Sequence, residues 1–262
     1  IGSEYYVPIP LNMAKAQEDG WNEYTPPSYP TGLERLVLYC PKDMDLTTCA
    51  LYDDTGYIAG LQISFDKNCV YDPAYDTTEQ GFEDWQVTLS NGTTIDFYTT
   101  SIYLVSKEYM AIDSTTRVSN RLSTTILQDK NAWVKGFKGD LYNISTDLSE
   151  STGSSSIYTE QACLLFMGHH WYYNMTKTTE CTAETIFPWF FTTYSDQFVA
   201  IGKMFFAKNK CGNKWTEAPT KAAVQLIVPN GPECMYNETE NGLITMHIYF
   251  VDTPYSISCL FE

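Results

Sequence analysis

Residues 85–98 read WQVTLSNGTTIDFY, and this stretch indicates the fold more clearly than any other. Two short runs rich in aromatic and β-branched residues lie on either side of Asn91-Gly92, the dipeptide that best supplies the two positive φ angles of a type I′ turn. The stretch therefore predicts a β-hairpin with Asn91 and Gly92 as its two-residue turn.

A second hairpin is predicted in residues 49–65, which read CALYDDTGYIAGLQISF, with residues 53–56 as its turn. Further strands are predicted at 33–40, 198–207, 222–228, 243–250 and 256–261, and a short helix at 12–18. Many short strands separated by turn residues are typical of an antiparallel sandwich or barrel. We therefore predict an all-β fold: an antiparallel β-sandwich or barrel-like domain stapled by disulfides, with few short helices.

The turn of the second hairpin contains Asp54-Thr55-Gly56, which is also the triplet of aspartic proteases. Those enzymes use two carboxylates that share one proton, and the chain has no second Asp-Thr-Gly or Asp-Ser-Gly. We therefore interpret the triplet as a turn. The G-x-S-x-G and H-E-x-x-H motifs are missing as well, and the sequence predicts no enzyme activity.

The composition restricts the classes to which the chain can belong. It has 262 residues, with 32 acidic and 16 basic side chains and a formal net charge of -16. This charge disfavours nucleic acids and anionic membranes as partners, because binding to both rests on clustered lysine and arginine. With 44% hydrophobic residues the chain is expected to fold. Its apolar runs fall far short of the ~20 residues that a membrane span requires.

The cysteine pattern predicts the compartment. None of the eight cysteines forms a C-x-x-C pair, so the usual zinc-finger and thioredoxin spacings are absent. An even number of scattered cysteines indicates disulfide bonds formed in an oxidising compartment. The predicted disulfide residues are Cys40, Cys49, Cys69, Cys163, Cys181, Cys211, Cys234 and Cys259. Their pairing stays open, because eight cysteines allow about 105 connectivities.

Four sequons agree with that compartment. Asn91, Asn143, Asn174 and Asn237 each begin an N-x-S/T acceptor without proline at x, and all four are predicted N-glycosylation sites. The sequence starts at Ile1 with neither an initiator Met nor a signal peptide, as expected for a mature secreted chain. We therefore predict a secreted, extracellular glycoprotein.

Residues 145–156, STDLSESTGSSS, are the only low-complexity segment and a possible boundary between sub-domains. Three cysteines precede the segment and five follow it. If all eight pair within the chain, both counts are odd, and at least one disulfide must cross it. We therefore predict one disulfide-tied unit over residues 1–262, with 145–156 as a surface loop.

The three histidines, His169, His170 and His247, are candidate copper or zinc ligands, because both metals bind imidazole. The adjacent pair, with methionines nearby, is similar to secreted copper monooxygenases of the peptidylglycine-hydroxylating type, but those enzymes need more histidines than this chain has. Neighbours on a regular strand also point to opposite faces. On such a strand His247 shares a face with Thr245 and Tyr249, and that face is interpreted as solvent-facing, so a metal cofactor is not expected.

Aromatic side chains carry the remaining indication of a binding function. Two clusters offer large apolar surfaces that are typical of a ligand cleft or a subunit interface. An ordinary sheet core is the simpler explanation of these clusters, and a ligand cleft or subunit interface is the alternative. The candidate ligand-binding residues are Trp171, Tyr172, Tyr173, Trp189, Phe190 and Phe191.

As a whole the chain resembles the subunits of the apple-snail egg perivitellins, the ovorubin-type carotenoproteins. The resemblance is one of profile: an acidic, sequon-bearing chain of 29.8 kDa with few sites for trypsin-like proteases and no familiar domain signature. It assigns no role to any single residue. It implies an oligomeric, protease-resistant egg storage glycoprotein whose subunits hold a carotenoid or lipid between apolar surfaces.

The sequence therefore predicts a secreted, acidic, N-glycosylated binding or storage protein. Its expected partners are similar subunits and an apolar small molecule, with no nucleic acid and no membrane span. Two alternatives stay open. One is a secreted copper or zinc oxidoreductase that uses the histidines, and the other is an extracellular defence or adhesion protein.

Overall fold

The structure is a computed structural model that describes residues 6–42, 45–89, 91–121 and 127–259. These residues form fifteen strands, and every pairing between them is antiparallel. The strands are β1 Asn22–Tyr24, β2 Val37–Cys40, β3 Thr48–Tyr52, β4 Ile58–Asp66, β5 Val70–Tyr71, β6 Glu83–Thr88, β7 Thr94–Tyr103, β8 Asn131–Lys135, β9 Leu141–Ser145, β10 Tyr158–Leu164, β11 Gly168–Tyr173, β12 Trp189–Tyr194, β13 Gln197–Phe205, β14 Lys208–Asn209 and β15 Ile244–Tyr249.

The helices are few and short. Two turns of 3₁₀ helix occur at Phe137–Gly139 and Pro254–Ser256. The α-helices are α1 Met13–Glu18, α2 Lys107–Ala111, α3 Ser114–Asn120, α4 Leu148–Ser151, α5 Lys221–Ile227 and α6 Glu233–Asn241. None of the helices in the described ranges is both long and apolar enough to cross a membrane.

The strands form two large sheets that pack face to face. The larger sheet has the order β1-β2-β3-β4-β7-β8-β9, with β6 also paired to β7, and the smaller has the order β10-β11-β12-β13-β15. Aromatic rings from both sheets meet between them. The Phe65 and Phe205 ring centres lie 5.2 Å apart, and those of Phe82 and Phe205 lie 4.4 Å apart. The predicted all-β, sandwich-like fold is confirmed.

Each sheet is covered on its other face as well. Leu33 and Leu36, in the arm before β2, and Met110 of α2 pack on the outer face of the larger sheet. Helices α5 and α6 cover the smaller sheet, where Val224 and Met235 pack against residues of β11, β12 and β13. Side chains on both faces of the smaller sheet are therefore buried.

The hairpin predicted in residues 85–98 is present, but its turn has three residues instead of two. Thr88 pairs with Thr94, which leaves residues 89–93 between the last paired positions of the two strands. The Leu89 amide donates to the Thr93 carbonyl at 2.8 Å, and the Gly92 amide donates to the Leu89 carbonyl at 2.9 Å. Gly92 has a φ of 84°, the left-handed conformation that three-residue hairpin loops place at this position.

Two of the predicted strands are wrong, those at 222–228 and 256–261. Residues 222–228 lie mainly in α5, which begins after Thr220, whose hydroxyl accepts a hydrogen bond from the Ala223 amide at 3.3 Å. In the strand predicted at 256–261, residue 256 ends a 3₁₀ turn, residues 257–259 belong to no strand, and residues 260–261 lie outside the described residues. The helix predicted at 12–18 is confirmed as α1, capped by Asn12.

All eight cysteines form disulfides, as predicted. Cys69–Cys211 crosses residues 145–156, the segment that the odd cysteine counts required a disulfide to cross. That segment is more ordered than a loop, because it contains the single turn of α4, capped by Asp147. The other three disulfides are Cys40–Cys49, Cys163–Cys259 and Cys181–Cys234.

The turn that carries the aspartic-protease triplet is a structural ion-pair cluster. The chain has three arginines, and all of them pair with this turn. Arg117 is fully buried, pairs with the buried Asp53 at 2.6 Å and also contacts Asp54. Arg35 pairs with Asp54 at 2.9 Å, and Arg121 pairs with Asp53 at 3.6 Å. The cluster therefore ties α3 to the turn between β3 and β4.

Arg117→Ala is expected to lower the free energy of unfolding by about 3–5 kcal/mol, because it leaves the Asp53 charge buried without its partner. Arg35→Ala is the matched control. The Arg35 side chain is 55% exposed, and an exposed pair contributes about 1 kcal/mol or less. Urea denaturation at pH 7 measures both variants, and equal losses would contradict the assignment.

Lys203 of β13 is a second buried basic side chain, in the core between the sheets. Its ammonium group lies 3.3 Å from the Gln80 carbonyl and 4.3 Å from the centre of the Phe82 ring. Lys203 as a whole is 1% exposed. This burial lowers the pKa of Lys203 well below its ordinary value. The Lys203 side chain therefore binds a proton more tightly in the unfolded chain than in the folded protein.

We expect Lys203→Met to raise stability at pH 7 and to remove one component of its pH dependence. In the unsubstituted protein this group makes stability rise with pH towards the unfolded lysine pKa, by at most about 1.4 kcal/mol per pH unit. Urea denaturation at pH 7, 8 and 9 measures the slope, with the partly exposed Lys208→Met as control. An unchanged slope in Lys203→Met would refute the expectation.

Candidate functional site

A small cavity lies between the smaller sheet and the pair of helices α5 and α6. Tyr172, Phe190 and Met204 line it from the sheet, and Val224 and Met235 line it from the helices. The space open to the centres of water-sized molecules is about 30 Å³, which is room for one or two waters. Nearly all of the lining is apolar. The polar exceptions are His170, Glu217, Thr245 and His247.

His170 reaches the cavity from β11 with its tautomer determined by the backbone. Its Nδ1 lies 3.1 Å from the Gly168 carbonyl oxygen and 3.3 Å from that of Ala162. Carbonyl oxygens only accept, so Nδ1 carries the proton and Nε2 carries the lone pair. That Nε2 is buried, and no described residue offers it a hydrogen bond. Burial, assisted by His247, lowers the pKa of His170 to about 3, so the ring is neutral near pH 7.

His247 reaches the cavity from β15 and is oriented by a carboxylate. Its Nδ1 lies 3.5 Å from Oε2 of Glu217. Glu217 is held beside it by two backbone hydrogen bonds with Thr245, at 2.8 and 3.0 Å. Burial alone would raise the pKa of Glu217, but His247, Thr245 and His170 together outweigh it, and the net pKa is lowered. Both ring nitrogens of His247, Nδ1 and Nε2, are buried and have no hydrogen-bond partner in the part of the chain that the structure describes.

The two imidazoles meet although their strands are not neighbours. Strands β12 and β13 separate β11 from β15, a backbone spacing of about 14 Å, yet the ring centres of His170 and His247 are 5.8 Å apart and perpendicular. The Phe190 ring contacts both, with its centre 5.6 Å from that of His170 and 5.1 Å from that of His247. Gly202 makes room for this ring, since a Cβ there would lie 1.9 Å from Cζ of Phe190.

His169, the third predicted metal ligand, points away from this cavity. Its Nδ1 pairs with Oε1 of Glu160 on β10 at 2.9 Å, as expected from the alternation of side chains along a strand. His170 and His247 therefore come together without it. Within residues 6–42, 45–89, 91–121 and 127–259, no group of three His, Cys, Asp or Glu side chains is spaced to hold one metal ion.

The six predicted ligand-binding aromatics are divided between two faces of the smaller sheet. Tyr172 and Phe190 line the cavity. Trp189 and Phe191 lie in the core between the sheets, and Trp171 and Tyr173 pack against that core. The six rings therefore do not line a single cleft.

The four sequon asparagines are all exposed. Asn91 lies in the turn of the first hairpin, Asn143 lies on β9, Asn174 follows β11 and Asn237 lies on α6. Each side chain is therefore accessible for a glycan.

The sequence did not predict two features of the cavity, the burial of His247 and the position of Glu217 beside it. His247 was expected to face solvent, but its side chain is 6% exposed because α5 and α6 cover that face. Glu217 was not considered at all. One signal was available: Thr220 precedes KAAVQLI, and a threonine before a run that starts with good helix formers is a helix start.

Comparison of the chain with protein-family models, with curated proteins and with solved structures found no match. The four disulfides indicate an oxidising compartment. The function is therefore argued from the cavity and from the side chains that line it.

Gly202→Ala is expected to destabilise the protein by about 1–3 kcal/mol or more, because the added Cβ must displace the Phe190 ring. Adding Phe190→Leu should recover part of that loss. Gly212→Ala is the matched control, since a Cβ there meets nothing within 4 Å. Denaturant unfolding of the three variants tests this packing, and equal stabilities for Gly202→Ala and Gly212→Ala would contradict it.

Proposed function

We propose that the protein is a secreted binding protein that holds one copper ion, in the cuprous state, between His170 and His247. One observation carries the proposal: two buried imidazoles face the same small cavity, and each has an Nε2 without a hydrogen-bond partner among the described residues. A buried acceptor without a partner is costly. A bound cation would satisfy both nitrogens at once.

The separation of the rings supports one shared ion. Imidazole nitrogens bind such metals at about 2.0–2.1 Å, which places the centres of two rings on one ion roughly 5 to 6 Å apart. The 5.8 Å between the ring centres of His170 and His247 lies within that range. The volume supports it as well, because about 30 Å³ accommodates an ion but not a carotenoid or a lipid chain.

The groups behind each imidazole also support the proposal. A histidine that binds a metal almost always donates its other N–H to a backbone carbonyl or a carboxylate, which aims the lone pair at the metal. His170 has two backbone carbonyls in this role. His247 has the Glu217 carboxylate 3.5 Å from its Nδ1, an ion-pair distance that a small movement would convert to a hydrogen bond, and the charge of that carboxylate would partly offset that of the ion.

The rest of the lining favours copper(I) over zinc or copper(II). Met204 and Met235 line the same cavity, and thioethers together with imidazoles are a soft donor set that selects copper(I). Copper(I) also accepts two or three ligands. Zinc usually takes four, and the described residues supply no third His, Cys, Asp or Glu at a suitable spacing.

The storage role, the oligomeric assembly and the carriage of an apolar ligand stay predictions. The disulfides and the exposed sequons are consistent with all three. A carotenoid or lipid would have to bind outside this cavity, between subunits, as the resemblance to perivitellins implies. Copper binding is proposed here without any catalytic turnover.

Anaerobic titration with copper(I), buffered by a chromophoric chelator and ascorbate, tests the proposal. We expect one equivalent to bind to the unsubstituted protein and to His169→Gln, which is the matched control because it alters the third histidine. His170→Gln and His247→Gln should lose that equivalent. Glu217→Gln should keep the stoichiometry but lower the affinity about 10–100-fold, as substitutions behind a metal ligand do.

One result of the copper(I) titration would contradict the proposal. If His170→Gln and His247→Gln bind copper(I) as tightly as His169→Gln does, the cavity is not the site. Circular dichroism of the copper-free variants establishes that each is folded, so a loss of binding is not mistaken for a loss of structure.

A further inference from the structure

An open groove lies beside the end of β11, on the outside of the protein. Phe137 and Tyr173 line it, together with residues of the segment that follows β11: Asn174, Thr176, Thr178, Thr179, Glu180, Glu184 and Thr185. Its volume is about 630 Å³, within the roughly 300–1,000 Å³ of pockets that hold drug-sized ligands. Unlike the copper cavity, it is large enough for an organic group.

Asn174 lines this groove and begins the sequon Asn174-Met175-Thr176. Its side chain is exposed, while the next residue, Met175, is 1% exposed. The backbone N–H of Asn174 donates to the Ile157 carbonyl at 2.8 Å, and the backbone carbonyl of Asn174 accepts from the Thr179 hydroxyl at 3.1 Å. The backbone of this sequon is therefore held in place at the wall of the groove.

We propose that the N-linked glycan of Asn174 lies in this groove and is part of the folded structure. A sugar ring has apolar C–H faces and a rim of hydroxyl groups. The rings of Phe137 and Tyr173, with centres 6.2 Å apart, offer a surface for the C–H faces. The exposed carboxylates of Glu180 and Glu184 offer acceptors for the hydroxyls.

The far wall of the groove is already ordered. Cys181 ties it to Cys234 on α6, and the hydroxyl oxygens of Thr176 and Thr179 lie 3.1 Å apart. The hydroxyl oxygens of Thr182 and Thr185 lie 2.9 Å apart. A wall that is ordered before the glycan arrives loses little conformational entropy when the glycan binds.

The position of the groove gives the glycan a structural role. Phe137 follows β8 of the larger sheet, and Tyr173 ends β11 of the smaller one. The Tyr173 ring also contacts Phe187 in the core between the sheets, with ring centres 4.9 Å apart. Sugars in the groove would therefore cover rings from both sheets. The asparagines of the other three sequons line neither this groove nor the copper cavity.

Glycan removal from the folded protein tests the inference without any substitution. The protein is secreted from a eukaryotic host, treated with peptide N-glycosidase, and each sequon is followed by mass spectrometry of its peptides. We expect removal at Asn174 to be about tenfold or more slower than at Asn143 and Asn237, because release from the groove requires local opening. Denaturation before digestion should abolish the difference.

Two results would overturn the inference. One is equal removal at Asn174 and Asn143 in the folded protein, and the other is an Asn174 that carries no glycan. A second measurement compares thermal unfolding of Asn174→Gln with that of Asn143→Gln. The inference requires a lower Tm for Asn174→Gln, since only that glycan covers the aromatic rings. Neither outcome depends on copper binding.

Discussion

The structure depends on one constraint: the smaller sheet is buried on both of its faces. In β12, Trp189 and Phe191 pack towards the larger sheet, while Phe190 packs towards α5 and α6. Without the larger sheet the first two rings would lie in water, and without the helices the third would. Burial of large side chains of this kind is the main favourable contribution to folding. The chain therefore needs a core on each side of this sheet, and the histidine cavity belongs to the core beneath the helices.

The buried polar groups differ in how they are compensated, and the difference points to the cavity. The Arg117 guanidinium has carboxylates as partners. The Lys203 ammonium has a carbonyl and aromatic rings. His170 and His247 each keep a buried Nε2 without a hydrogen bond from any described residue. Buried polar atoms are rarely left this way, and such an atom calls for an explanation such as a bound ion. The basic residues thus have structural partners within the fold, whereas the two imidazoles are the basis of the proposed function.

Local sequence signals predicted the hairpins, the disulfide-forming cysteines and the separation of His169 from His170, because each follows from neighbouring residues alone. They failed where packing decides. The run AAVQLIV at 222–228 is apolar enough for a strand, and periodicity does not separate a short buried strand from a short helix. A strand at 222–228 instead of a helix leaves nothing to cover β15. The sequence therefore predicts that His247 faces solvent, and it does not identify Glu217 as its neighbour. The prediction of a two-residue turn at Asn91-Gly92 was wrong for a related reason, since the register of a hairpin depends on the pairing of whole strands.

The cavity lined by His170 and His247 and the groove lined by Asn174 are connected through one segment, residues 174–188 between β11 and β12. Met175 and Ile186, near its two ends, are buried in the core beneath the helices. Between them Cys181 is bonded to Cys234 of α6, and the next residue of that helix, Met235, lines the cavity. The wall of the groove and the position of Met235 at the cavity are thus set by the same disulfide. Because disulfides of this kind form and persist in oxidising compartments, such a compartment is also the one in which α6 is held over the two histidines.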